Sequence, residues 1–173
     1  MTSSVLAHLI VAVFPVGAIA AALSDATTFT IPNRLTIALA AAFFPVALIL
    51  GLPAATIGAC AAVGVLALVV GIGFFAMNWC GGGDAKLLAA CALWLGLPAM
   101  LPFLFATSVV GGLLALTLVV ARKSMLVALV PSGPAWLGRL LQPTEALPYG
   151  VAIAVGALIA FPSSPLVQAL GGH

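Results

Sequence analysis

Residues 1–24, 35–83 and 87–121 contain not one Asp, Glu, Lys or Arg. Runs this long and this apolar constrain the chain more than any other feature. A backbone lying against lipid must satisfy its own N–H and C=O groups, and an α-helix does so within one segment. The composition agrees: 65% of residues are hydrophobic and 5% charged, with a mean hydropathy of +1.38, whereas roughly a quarter of a soluble domain is charged. The expected class is an all-α polytopic integral membrane protein. At about 20 residues per crossing, the 173 residues suit one membrane-embedded domain, residues 1–173, and leave no room for a large soluble one.

Charges and turn residues divide the chain into about six apolar segments, 4–23, 34–51, 54–78, 84–97, 99–121 and 147–167. "GLPAA" and "GLPAMLP" supply Gly and Pro as helix stops after the second and fourth. The fourth is short: about 14 residues give roughly 21 Å, less than the hydrocarbon thickness of about 30 Å. Arg34, Lys86 and the group Arg122, Lys123 and Arg139 fall in alternate links. Six crossings therefore put every basic residue on one side, and the positive-inside rule makes that side cytoplasmic, with both termini outside. The first run lacks a basic n-region and a small-residue cleavage site, so it is expected to stay as a span. Between the last two segments, "AWLGRLLQ" sets Trp136, Leu137, Leu140 and Leu141 opposite Arg139 and Gln142. An interfacial amphipathic helix near 135–142 has this pattern, and so does an ordinary surface helix.

Several function classes drop out. Cys60, Cys80 and Cys91 are odd in number and form no CxxC pair, so neither a disulfide framework nor a zinc site is indicated. His8 and His173 stand near opposite ends, no His, Cys and acid cluster occurs, and no metal or other cofactor is expected. A formal charge of +2, with no basic stripe, excludes a nucleic-acid partner.

The stretch "WCGGGDAK", residues 79–86, breaks the pattern: Gly81, Gly82 and Gly83 run into Asp84, which is expected to start the fourth helix. Asp25 ends the first span and is followed by "ATTFTIPNRL", where Pro32 breaks the path of the chain and Asn33 can cap the second helix. Ordinary roles suffice for each acid alone, Asp84 as an N-cap and Asp25 as a polar link residue. Together, in a chain with only Asp25, Asp84 and Glu145 as acids, they point to function, because ionisable groups at membrane depth are costly. Packing spans one and four side by side would join the two carboxylates at one membrane face. That is the equipment of an aspartic protease. Like charges a few ångströms apart cannot both ionise easily; one carboxylate takes a proton from the attacking water while its protonated partner polarises the peptide carbonyl. The pair titrates as a unit, and neither role is assigned to either residue. Glycines beside the pair let an extended peptide approach the backbone closely.

"GGGD" fits the GxGD pattern of intramembrane aspartyl proteases, with Gly81 and Gly83 as its glycines, and "GGGDAK" resembles the motif of type IV prepilin peptidases. "SDATTFTIPNRLT" resembles that family's other block, an Asp followed by I-P-N, and "LPYGVAIAVGAL", residues 147–158, resembles its terminal P-Y-G-x-A segment. The resemblance implies an endopeptidase that removes the leader from prepilin-like precursors at the cytoplasmic face of the inner membrane, with Asp25 and Asp84 as the catalytic pair. Larger members carry a cysteine-rich zinc domain and also methylate the new N-terminus. This chain has neither CxxC pairs nor space for that insertion, which implies cleavage without methylation, as in the short branch serving Flp-type (tight-adherence) pili.

Lys86 stands two positions after Asp84 and would not face it on a helix; snorkelling to headgroups and tuning of the pair both remain open. Glu145 is a solvated loop acid or a contact for a basic leader, and Gly111-Gly112 suits close helix packing. Alternative functions are a preflagellin-type peptidase of the same architecture, a small proton- or cation-coupled transporter, and a non-enzymatic assembly subunit that docks pilins. A transporter calls for carboxylates along a crossing path, and none lies near the middle of a span or in the opposite links.

Overall fold

The structure is a computed structural model and describes residues 9–123, 135–142 and 147–171. Its elements are α1 (Val13–Thr28), α2 (Asn33–Ile49), α3 (Ala54–Ala76), α4 (Gly82–Lys123), α5 (Ala135–Leu140) and α6 (Tyr149–Ala160). A 3₁₀ turn at Phe161–Ser163 then leads to α7 (Pro165–Gly171). No strand occurs among the described residues. Among the described residues, four helical stretches are long and apolar enough to cross a membrane: Leu9–Thr28, Ala54–Ala76, Gly82–Lys123 and Tyr149–Gly171. The 17 residues of α2 are apolar but shorter. Outward faces such as Leu97, Leu101 and Phe105 are strongly exposed, as lipid-facing side chains are.

Three expectations need correction. The first helix does not stop at residue 23: it continues to Thr28, which puts Asp25 inside its last turn. Polar residues that resemble a link instead support the helix, because Thr27 Oγ1 donates to the Leu23 carbonyl and Thr28 Oγ1 to the Ser24 carbonyl. The last segment is not one run either, since the 3₁₀ turn at Phe161–Ser163, with Pro162 inside it, separates α6 from α7.

The third correction concerns "GLPAMLP". No loop separates residues 97 and 99; α4 is broken at one residue, Gly96, whose φ of 60° and ψ of 179° only glycine adopts readily. Pro98 does not stop the second leg, because in a first turn its missing N–H leaves no carbonyl unpaired. Contacts on either side show the chain doubling back. Gly96 lies against Cys60 and Pro165, whereas Gly111 lies against Tyr149, and the next residue, Gly150, lies against Asp25. Gly150 also meets Ile31, which lies against Gly83 at the start of α4. A straight helix would carry Gly111 about 40 Å from Asp84. The two legs therefore run antiparallel, in place of the fourth and fifth expected spans.

Trp94 ties the first leg to its neighbours. It is fully buried, its indole Nε1 donates to the Leu39 carbonyl at 2.8 Å, and its ring lies 5.3 Å from Phe14 and 5.8 Å from Phe43. Gly64 and Gly71 bring α3 against Leu93 and Ala85 of the same leg. The second leg packs on α6, where Thr107 meets Gly156. The amphipathic stretch forms α5, which rests on the end of α1: Arg139 sits 5.1 Å above the Phe29 ring. Arg122 Nε and Nη2 both donate to the Leu140 carbonyl.

Candidate active site

Five chain segments meet at one end of the bundle: the last turn of α1, the Phe29–Pro32 link, the glycine loop before α4, the start of α2 and the start of α6. Asp25 is 5% exposed, so its carboxylate requires protein donors. Its Oδ2 accepts from the Gly150 backbone N–H at 2.7 Å. That amide belongs to the first turn of α6, where the helix dipole favours an anion.

Asp84 is held differently. The helix begins at Gly82, not at Asp84, so Asp84 is its third residue and its carboxylate turns back toward Gly81, where a Cβ would stand 3.0 Å from Oδ2. The two aspartates are 59 positions apart in sequence, yet Gly83 beside Asp84 and Gly150 beside Asp25 both lie against the same residue, Ile31. Ile31 is the buried wedge between their supports. A Cβ on Gly83 would stand 3.2 Å from Ile31 Cβ, and one on Gly150 would stand 2.7 Å from Ile31 Cδ1. Glycine at both positions lets α4 and α6 close on the 29–32 link.

Of the other residues singled out in the sequence, Pro32 is the N-cap residue of α2, with extended backbone (φ −62°, ψ 133°). Asn33 does not cap that helix through its side chain: it is the first helical residue, and its Oδ1 accepts from Lys86 Nζ at 2.8 Å. Lys86 is exposed and its ammonium is directed to α2 rather than to Asp84. Gly82 lies against Phe75. Beside this end, a groove of about 790 Å³ runs between α2, α3 and the first leg of α4, with Asn33 and Lys86 at its polar mouth and Ala40, Val65 and Leu93 further in. Among the described residues no three His, Cys, Asp or Glu side chains gather as a metal site. Cys60 and Cys91 are buried, and Cys80 is a partly buried free thiol in the glycine loop. Glu145 lies outside the described residues.

The Gly150 amide is absent from the residues picked out by sequence, although "LPYGVAIAVGAL" was. Backbone donors leave no side-chain signature; the only trace is a Pro and a Gly flanking a helix start.

A model of the type IV leader peptidase family matches residues 12–116. The chain belongs to that family. No curated protein and no solved structure matches it. Type IV leader peptidases are proteases, and with its apolar helices this member is an integral membrane hydrolase. The match takes in Asp25, Asp84 and the glycine loop, and ends before α6.

Proposed function

We propose that this protein is an aspartic endopeptidase that removes the leader of prepilin-like precursors at the cytoplasmic face of the inner membrane, with Asp25 and Asp84 activating water between them. The meeting of these two carboxylates at one end of the bundle, inside a leader-peptidase match, carries the reading. The pair shares a proton. The ionised carboxylate removes a proton from water as the oxygen attacks the scissile carbonyl, and the protonated one donates a hydrogen bond to the carbonyl oxygen. Collapse of the tetrahedral intermediate breaks the C–N bond, and a proton passes to the departing amine. The glycine loop admits the extended substrate backbone.

Sidedness has support of its own. Arg34 opens α2, Lys86 bonds to Asn33, Arg122 bonds to Leu140 of α5, with Lys123 next to it in the chain, and Arg139 sits over Phe29 at the end of α1. Every basic residue thus shares an end with the two aspartates, which fits six crossings with both termini outside and a cytoplasmic site. No CxxC pair occurs in these 173 residues, which favours Flp-type clients and cleavage without methylation.

The test uses purified protein in liposomes with an Flp-type precursor. Wild type is expected to shorten the precursor by its leader, and Asp25→Asn or Asp84→Asn to slow this about 10²–10⁴-fold. Cleavage by either variant at near wild-type rate would refute the pair.

A further inference from the structure

We propose that Gly150 is a positioning residue: its backbone N–H and its missing side chain fix the carboxylate of Asp25, so that α6, beyond the matched residues 12–116, completes the site. This rests on the reading of Asp25 as one of the catalytic pair.

The argument begins with an asymmetry. The Asp84 carboxylate lies against Gly81 of its own loop, three residues away, so local folding suffices to place it. Asp25 takes its donor from Gly150, 125 positions later in the chain. Only correct docking of α6 supplies it, and at 5% exposure water cannot substitute freely. The approach is close enough to dictate the residue. A Cβ at position 150 would stand 2.8 Å from Asp25 Oδ2, 3.0 Å from its Cγ and 2.7 Å from Ile31 Cδ1. Alanine would therefore push the carboxylate off the Gly150 amide or push α6 away from it. The docking has its own support, because Gly111 leaves room for the Tyr149 ring, whose atoms would stand 2.7–2.8 Å from a Cβ there.

A role in packing alone is separable from positioning. If Gly150→Ala acts only by striking Ile31, then Ile31→Val, which removes Cδ1, restores the protein. If it acts through Asp25, that second change restores nothing, since the Cβ still meets the carboxylate. Displacing a catalytic group by about 1 Å costs on the order of 100-fold in rate. In the precursor assay Gly150→Ala is expected to lower kcat about 100-fold with KM within about threefold, and Gly150→Ala/Ile31→Val to remain as slow. A kcat near wild type in Gly150→Ala, or its recovery in the double variant, overturns the proposal.

A second readout needs no turnover. Asp25 and Asp84 are the only aspartates in the sequence, so carbon-13 at the aspartate side-chain carboxyl in an Asp84→Asn background reports Asp25 alone. Gly150→Ala is expected to shift that resonance, with no return on adding Ile31→Val. Gly111→Ala, acting through the Tyr149 ring, is expected to shift it less, and it serves if Gly150→Ala does not accumulate. A resonance unmoved by both glycine variants, or returned by Ile31→Val, overturns the proposal. An inactive wild type with the expected shifts would sink the peptidase reading while leaving Gly150 the support of Asp25.

Discussion

At the residue scale, Cys80 offers a gauge of Asp84. Burial first, and then the charge of Asp84, hold the Cys80 thiol above its ordinary pKa. A raised pKa means less thiolate at any given alkaline pH, and the thiolate is the nucleophile. Asp84→Asn removes the second cause, so alkylation of Cys80 by iodoacetamide at pH 8–9 is expected to quicken, with Cys60 and Cys91 buried and silent. An unchanged rate would mean that the Asp84 charge does not reach the loop. The Lys86–Asn33 bond, at an exposed position, is expected to contribute about 0.5–1 kcal/mol in a double-mutant cycle of Lys86→Met and Asn33→Ala, read by thermal unfolding in detergent. That bond also marks a limit of the sequence. Asn33, directly after Ile31-Pro32, has the makings of a cap, but a lysine 53 positions away takes its oxygen, and no local pattern announces a partner so remote.

At the scale of elements, the Asp-Gly-Pro vocabulary was legible in kind and misleading in place. Ser24, Thr27 and Thr28 look like the start of a link, yet in α1 the threonine hydroxyls return to carbonyls one turn back and the helix carries Asp25 inside. Pro98 looks like a stop, yet Gly96 alone makes the break and Pro98 sits where a first turn tolerates it. Gly96 can be tested directly. Alanine there meets a backbone region open almost only to glycine, and its Cβ would stand 2.9 Å from Cys60 Sγ. Gly96→Ala is expected to cost at least about 1–3 kcal/mol, seen as a lower melting temperature. Cys60→Ala is expected to relieve the contact but not the backbone strain, so recovery should be partial. Full stability in the single variant would argue against a hairpin at this residue.

At the scale of the molecule, the sequence carried the class and the packing of α1 beside the first leg of α4, where Phe14 meets Trp94, because each follows from where charge and glycine interrupt apolar sequence. It did not carry the contribution of α6, which acts through a backbone amide. Six crossings can be checked by labelling single cysteines at Thr30 and Gly51 in a cysteine-free background. Opposite faces are expected, and equal access from one face would break the parity. The most direct measurement of the central claim is leader cleavage by Asp25→Asn, Asp84→Asn and the double variant under identical conditions. Groups that act as one unit lose their effect together, so the double variant is expected to be no slower than the slower single variant; losses that multiply, or one single variant that still cleaves well, would contradict a shared pair.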